Sequence, residues 1–196
     1  MKMIRTAFCL VAVLTLLTGL LYPLTMTGLA QAVFPRQANG SMIERDGKAI
    51  GSALIGQGFA SDRYFCGRPS AAGENGYDAS ASGGSNLGST SEKLQEQLKD
   101  RLLQVRQQNK LSAEAQVPAD LVTASASGLD PDISLDSAYL QIERVAAKRD
   151  LEAAQVRKLV DSMVRGPQLG LLGETRVNVL ELNLAIDSLK PENQVK

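Results

Sequence analysis

Histidine and tryptophan are absent from this sequence, and aromatic side chains make up only 4% of its 196 residues. Without histidine the chain lacks the usual general base near neutral pH, and a Ser-His-Asp triad cannot form. It also lacks the most common protein ligand of zinc. The scarcity of aromatic side chains disfavours the stacking platforms that bind single-stranded nucleic acid.

Neither sign of charge is in excess, because 21 basic side chains balance 21 acidic ones. Nucleic-acid binding depends on a clustered excess of Lys and Arg, so no nucleic-acid partner is expected. Cysteine is scarce as well. Cys9 lies in an apolar run and Cys66 in the polar remainder, which makes a disulfide between them implausible. Without a histidine as its base, Cys66 is interpreted as a non-catalytic thiol.

The largest feature that is present is an uncharged run of 30 residues, 6–35, near the start of the chain. As a helix it would be about 45 Å long, and a bilayer core needs roughly 20 apolar residues. The run therefore predicts one transmembrane helix that contacts lipid through residues 6–34, with Pro23 as a place where it can kink. Residues 1–35 are predicted to form the anchor and residues 36–196 a separate domain.

The charges that flank this run predict its orientation. Lys2 and Arg5 precede it, so the positive-inside bias keeps the N-terminus in the cytoplasm and exports the part that follows Phe34. A cleavable signal peptide also fits, with residues 30–32 (Ala-Gln-Ala) as a small-x-small cleavage site, although that site lies about ten residues beyond the apolar core. From the residues alone, a retained anchor and a cleaved signal both stay open, and both place the domain outside the cytoplasm.

The remainder predicts a compact soluble domain of mixed α/β class with a small sheet. A hairpin is expected at residues 41–45 and 48–55, because Asp46-Gly47 is a strong turn signal. Apolar periodicity and capping signals predict helices at residues 91–109, 135–148 (capped by Ser134), 152–164 and 180–189. Short strands are expected at residues 121–124 and 176–179, with a loop over residues 125–133.

Residues 56–90 contain eight glycines and almost no apolar periodicity. A long irregular loop inside a regular domain is usually functional or disordered. Its Gly-rich run, residues 82–88, has backbone amides that could converge on an anion, but both the P-loop and the G-x-G-x-x-G patterns are missing. A structural loop is therefore the preferred interpretation.

Two further motifs carry charge. Asp130-Pro131-Asp132 is interpreted as a turn that enters a helix rather than as an acid/base pair or a calcium loop. Arg68, in the turn formed by residues 67–70, belongs either to a packed loop that faces a partner or to an ion pair with a nearby carboxylate, and both interpretations stay open. No G-x-S-x-G elbow occurs, so the residues reveal no catalytic site.

In order and in number, these motifs resemble those of the KdpC family. The resemblance runs nearly from end to end of the chain. The matching segments include residues 17–19, 22–24, 37–41, 51–57, 67–70, 77–78, 82–88, 117–118, 120–125, 127–131, 144–146, 172–174, 176–180 and 182–185, together with Gln141. One departure is Asp132, which stands where the family often carries histidine.

The resemblance implies a non-catalytic accessory subunit of the Kdp potassium-transporting ATPase, with KdpA, KdpB and KdpF as partners. It implies a retained anchor in a bacterial inner membrane and a periplasmic domain. The family is described as raising the ATP affinity of the catalytic subunit KdpB, so no cofactor is expected to be firmly bound and ATP is the candidate ligand. Carried over, the nucleotide contacts would be Gln141, Ser82, Gly83 and Gly84. An independent extracytoplasmic hydrolase and a nucleotide-binding module are the alternatives.

Overall fold

The computed structural model describes residues 1–189, which fall into two units, Met1–Ser52 and the part from Ala53 onward. Residues 190–196, the end of the predicted domain, lie outside the described residues. Each unit has its own secondary structure and is considered by itself. The predicted boundary between residues 35 and 36 stays a prediction.

The first unit begins with a helix long and apolar enough to cross a membrane, Lys2–Val33. It consists of α1 (Lys2–Leu16), a π-helical segment (Leu17–Leu21) and α2 (Tyr22–Val33). Pro23 has no N–H, and its ring would collide with the carbonyl four residues earlier in a regular α-helix. The wider π-helical turns just before Pro23 relieve that collision. Next to Pro23, where the sequence allows a kink, the helix therefore widens locally into π-helical turns.

A short helix and a hairpin complete the first unit. Helix α3 (Pro35–Ala38) is followed by β1 (Met42–Arg45) and β2 (Lys48–Ser52), which pair antiparallel. Asp46 and Gly47 form the two-residue turn with φ of +54° and +74°. Positive φ at both positions is the type I′ geometry that matches the twist of a hairpin. The predicted hairpin is confirmed, although its second strand ends at Ser52 rather than at residue 55.

Over residues 53–189 the second unit contains four α-helices and a small sheet. The helices are α4 (Glu92–Gln108), α5 (Leu135–Arg149), α6 (Ala153–Ser162) and α7 (Val179–Ser188), and the strands are β3 (Asp132–Ser134) and β4 (Arg176–Asn178). The strands pair antiparallel, with Ile133 opposite Val177. The mixed α/β class with a small sheet is confirmed.

The core forms where α5, α6 and α7 cover this small sheet. On α5, Ala138, Ile142 and Val145 recur at helical spacing and are buried, and so are Val156 and Val160 on α6. The same cluster holds Ala146 on α5 and, from the rest of the chain, Phe65, Ile133, Leu151, Val177, Val179, Leu182 and Ile186. Phe65 comes from the irregular segment, so that segment is built into the core.

Two predictions around the sheet are wrong. Residues 121–124 do not form a strand; a 3-10 turn, Ala119–Leu121, stands there instead. Its geometry is fixed by Asp120, whose carboxylate accepts hydrogen bonds from the backbone N–H and the hydroxyl of Ser134 at 2.7 and 3.1 Å. The predicted loop over residues 125–133 is also too long, because β3 begins at Asp132. Asp130 and Asp132 therefore lead into a strand rather than directly into a helix.

The predicted cap of α5 provides a test of local stability. The Ser134 hydroxyl accepts the backbone N–H of Ser137 at 3.1 Å, whereas Ser91, at the start of α4, makes no such side-chain bond. We expect Ser134→Ala to lower the free energy of unfolding by about 1 kcal/mol. Ser91→Ala is the matched control and should change it by less than about 0.5 kcal/mol. Equal losses in urea titrations of the two variants would contradict the capping role.

Candidate functional site

The irregular segment, residues 56–90, contains no helix or strand, and yet Phe65 and Ala72 within it are fully buried. Buried backbone N–H and C=O groups must be paired. At Phe65 and Cys66 these groups are paired with side chains rather than with a neighbouring strand. These side chains define the candidate site.

Two side-chain amides make the hydrogen bonds that the edge of a neighbouring strand would otherwise provide. Asn183 on α7 accepts the N–H of Phe65 at 2.8 Å and donates to the carbonyl of Phe65 at 2.9 Å. Gln141 on α5 accepts the N–H of Cys66 at 2.8 Å and donates to its carbonyl at 3.2 Å. Two successive residues of the segment are therefore each held by a pair of hydrogen bonds.

Gln141 uses its whole hydrogen-bonding capacity within the protein. Its Nε2 also donates to the carbonyl of Ser137 at 3.1 Å, and its Oε1 also accepts from Arg144 at 2.7 Å. An amide has two donor hydrogens and two acceptor lone pairs, and all four are engaged. The side chain is 1% exposed. In this conformation Gln141 has no hydrogen-bonding atom left for a ligand.

Arg144 holds the start of the same stretch and is itself buried. Its Nη1 donates to the carbonyls of Asp62 and Tyr64 at 2.6 and 3.0 Å, and its Nε donates to Oδ1 of Asn109 at 3.0 Å. Arg144 therefore joins the irregular segment to the end of α4. Burial raises the pKa of the neighbouring Cys66 thiol, and the charge of Arg144 opposes that effect.

Arg68 forms an ion pair at the far end of this stretch. Its guanidinium lies 3.0 Å from Oδ2 of Asp130. Of the two interpretations left open for this turn, the pairing with a carboxylate is confirmed. The Ser70 hydroxyl also joins the irregular segment to the loop that precedes β3. It donates to the carbonyl of Gly128 at 2.6 Å and accepts the N–H of Tyr77 at 2.6 Å.

Ser82, Gly83 and Gly84 lie against the loop that precedes β3. The hydroxyl of Ser82 and the N–H of Gly83 both donate to the carbonyl of Ser127, at 3.0 and 2.9 Å. A Cβ atom on Gly84 would lie 2.9 Å from the carbonyl oxygen of Ala126. The glycines thus allow two backbones to approach closely, and the amide of Gly83 is already occupied.

A cavity of about 580 Å³ adjoins Gln141 and opens between the irregular segment and α4. Its lining includes Arg68, Tyr77, Arg101, Gln104 and Gln141, whereas residues 82–84 do not contribute to it. The structure therefore does not bring Gln141 and the Gly-rich run together around this cavity. Within residues 1–189, no group of three or more Cys, Asp or Glu side chains is arranged to hold a metal ion.

Tyr77 lines this cavity and donates its hydroxyl to the carbonyl of Arg68 at 2.6 Å. Burial raises the pKa of Tyr77 to about 12, and the charges of Cys66 and Asp130 act in the same direction. The ordinary pKa is about 10, so the stability that protonated Tyr77 contributes is complete below about pH 10 and is lost as the pH rises toward 12. We expect the phenolate absorbance that Tyr77→Phe removes to titrate near 12. A midpoint near pH 10 for this titration would contradict a buried hydrogen bond from the Tyr77 hydroxyl to the carbonyl of Arg68.

Asp132, at the start of β3, is a carboxylate whose pKa is shifted. Burial raises the pKa of Asp132, while Arg176, whose Nε lies 2.9 Å from its Oδ2, lowers it. Its Oδ1 has no hydrogen-bond partner in the described part of the chain. Asp132 is therefore a half-buried carboxylate whose pKa is raised by burial although Arg176, Arg165 and Asn178 favour its charged form.

Sequence reasoning missed Arg144 and Asn183 as residues that hold the site. Both occupy positions on the inner faces of amphipathic helices, where the pattern predicts apolar side chains. A signal was nevertheless present, because a polar residue at a core position must find a hydrogen-bond partner. The partner was not visible, since Phe65 and Asn183 are 118 residues apart.

These features define an α/β protein that has an N-terminal helix long and apolar enough to cross a membrane and whose buried polar side chains fix its own irregular backbone. A family model described as "K+-transporting ATPase, c chain" (KdpC) matches residues 4–188. The chain therefore belongs to the KdpC family of potassium-transporting ATPase subunits, as the resemblance predicted.

Several proteins with the KdpC name are similar to this chain over nearly their whole length. The "Potassium-transporting ATPase KdpC subunit" of Gemmatimonas aurantiaca is 56% identical over 189 residues, which cover 96% of this chain and 94% of that protein. The protein of the same name from Burkholderia vietnamiensis is 55% identical over 186 residues (95% and 96%). That from Polaromonas naphthalenivorans is 56% identical over 192 residues (98% and 97%).

Proposed function

We propose that this chain is a non-catalytic subunit that assembles and stabilises the potassium pump with KdpA, KdpB and KdpF. We further propose that it raises the ATP affinity of KdpB. The observation that carries the proposal is the irregular segment, which Gln141, Arg144 and Asn183 hold from the inside. On the outside, residues 60–63, 73–75 and 78–82 are exposed.

A segment fixed in this way suits a docking surface. Binding requires loops to lose conformational freedom, and a surface that is already ordered reduces that cost. The turns around Ser70 and Asp130 also keep the exposed residues in one arrangement through side-chain bonds to the backbone. A partner subunit would therefore meet a preformed surface rather than a flexible loop.

The proposed location is a bacterial inner membrane, with the N-terminus in the cytoplasm and the domain in the periplasm. The charges of Lys2 and Arg5 before the apolar helix support this orientation. Ser80→Cys in a Cys66→Ala background offers an exposed thiol for the test. In intact spheroplasts an impermeant maleimide should label it. Labelling only after lysis would contradict a periplasmic domain.

We propose that the effect on ATP affinity is indirect. Gln141 has no hydrogen-bonding capacity left for a nucleotide, and the amide of Gly83 is used by Ser127. A subunit that binds one conformation of the pump more tightly shifts its population, and the shift changes the affinity for ATP by linkage. Differential binding of this kind needs no contact between this chain and ATP.

The docking surface can be tested by placing a large charge on it. We expect Ala79→Arg to weaken copurification with the other subunits and to raise the ATP concentration for half-maximal hydrolysis about five-fold or more, a typical coupling between sites. Ala79 is exposed, and so is the control Gln107→Arg on α4, which should leave both unchanged. A pump that is stable and fully active without this chain would contradict the proposal.

Direct nucleotide binding through Gln141, Ser82, Gly83 and Gly84 is a second candidate. The cavity beside Gln141 favours only the Gln141 part of that site, because Arg68 and Arg101 line the cavity and could attract phosphate, whereas residues 82–84 lie outside it. Isothermal titration of the detergent-solubilised full chain with ATP tests it. Binding heat that Arg101→Ala abolishes would support a direct site, and no heat at millimolar ATP would exclude it.

A further inference from the structure

Three exposed leucines lie at the tip of a hairpin outside the irregular segment. The leucine hairpin, residues 165–176, leaves α6 and returns into β4. Backbone bonds between Arg165 and Arg176 close its base, at 2.8 and 2.9 Å, and bonds between Gln168 and Leu172 close its tip, at 2.8 and 2.9 Å. Leu169, Leu171 and Leu172 are 91%, 86% and 62% exposed.

The tip is held in shape although its leucine side chains are largely exposed. Leu169 has φ of +54°, a left-handed conformation that costs energy for a residue with a Cβ, and Gly170 follows with φ of +75°. Residues 166–173 contain no charged side chain. A contiguous, uncharged and apolar projection of this kind marks an interaction site rather than ordinary surface.

We propose that the leucine hairpin inserts into the surface of the bilayer that holds the chain's own N-terminal helix. The covalent link to that helix keeps the domain at the membrane, so even a weakly lipophilic tip meets lipid at a high effective concentration. The proposal does not depend on which side of the membrane the domain occupies, nor on the function proposed above.

The composition of the tip favours lipid over a protein partner. Protein interfaces depend on Tyr, Trp and Arg, while leucine is under-represented among the residues that carry their binding energy. Interfaces also have a polar rim, and residues 166–173 offer only Gln168 as a polar side chain. A narrow aliphatic projection needs no matching groove in a fluid bilayer, where burial of apolar surface alone is favourable.

Fluorescence quenching by lipid tests this contact in the full chain. Leu172→Cys is labelled with a fluorophore in a Cys9→Ser, Cys66→Ala background and reconstituted into phosphatidylethanolamine and phosphatidylglycerol vesicles. Some of the lipid carries a nitroxide at a shallow acyl position. Leu103→Cys on α4 is the matched control, since Leu103 is 63% exposed. We expect several-fold stronger quenching at position 172 than at 103, and the reverse with aqueous iodide.

The same labels separate the other outcomes. If the label at 172 is accessible to iodide in vesicles and becomes shielded only when the other pump subunits are present, the hairpin docks on protein and the lipid proposal is overturned. Accessibility to iodide under both conditions overturns it as well. Because the decisive measurement uses this chain alone, its failure is distinguishable from a failure of the proposed role in the pump.

Discussion

Replacing Arg144 with methionine should lower the free energy of unfolding by about 3–5 kcal/mol, because several acceptors each lose a charged hydrogen-bond donor, at about 1–3 kcal/mol apiece. Methionine fills much of the volume but leaves the carbonyls of Asp62 and Tyr64 without the donors they have at 2.6 and 3.0 Å. The Oδ1 of Asn109 loses its donor as well. Urea unfolding of the detergent-solubilised full chain, followed by circular dichroism, measures the change.

Lys148 supplies the control, because it reaches the same Asp62 from the solvent. Its Nζ lies 3.6 Å from Oδ2 of Asp62, and both side chains are about half exposed. Exposed ion pairs contribute little, so Lys148→Met should cost less than about 1 kcal/mol. Arg144→Lys keeps the charge without the planar fork and should fall between the two. If Arg144→Met lowers the free energy of unfolding no more than Lys148→Met does, the buried hydrogen bonds of Arg144 are unimportant for stability.

The local order of the irregular segment should also change in Arg144→Met. When Arg144 no longer holds residues 62–66, the exposed part of the irregular segment loses its fixed geometry, and docking must then order it. Amide hydrogen exchange should therefore quicken at Phe65 and Cys66 in Arg144→Met before the helices open. Faster exchange spread evenly over α5 and α7 would instead indicate general destabilisation.

Local signals explain which elements the sequence could predict. The type I′ turn at Asp46 and Gly47, the Ser134 cap and the 3.6-residue periodicity of α5 and α6 are all properties of neighbouring residues. Those elements were predicted within a few residues of their observed bounds. The chain needs no distant partner to choose these conformations, because turn and cap chemistry act over two to four residues.

Of the two three-residue strands, β4 (Arg176–Asn178) confirms the strand predicted at residues 176–179, whereas β3 was missed because three residues carry little pattern. The β-branched residues within 121–124 suggest a strand, but the strand in this part of the chain, β3, begins at Asp132, where Ile133 pairs with Val177 of β4. The 3-10 turn at Ala119–Leu121 is imposed by the bonds of Asp120 to Ser134. Tertiary contacts therefore override a weak local preference here.

The candidate site was only partly predictable for a related reason. The length and glycine content of residues 56–90 predict a functional or disordered loop, and an ion pair with a carboxylate is one of the two interpretations that the sequence leaves open for Arg68. The residues that hold the segment, Gln141 and Asn183, reach it from helices 75 and 118 residues away. Such pairings follow from the fold and leave no trace in local spacing.

Gly128→Ala should be as damaging as the loss of Arg144, with an expected cost of at least about 3 kcal/mol from overpacking and left-handed strain together. Gly128 has φ of +66°, and a Cβ atom there would lie 2.6 Å from the carbonyl oxygen of Gly83 and 2.7 Å from the backbone nitrogen of Ala72. Both contacts are with backbone, so no side-chain rotation can relieve them. The loops that carry the Gly-rich run and Ser70 would have to separate.

Gly88→Ala is the matched control, since nothing lies within 4 Å of a Cβ atom at that position. It should leave stability within about 0.5 kcal/mol of the native value. Gly84→Ala, which brings a Cβ within 2.9 Å of the Ala126 carbonyl, should be clearly destabilising as well. If Gly84→Ala instead left the unfolding transition unchanged and abolished ATP binding, the close approach of the two backbones would not be the reason for this glycine. The Gly-rich run would then be a nucleotide site.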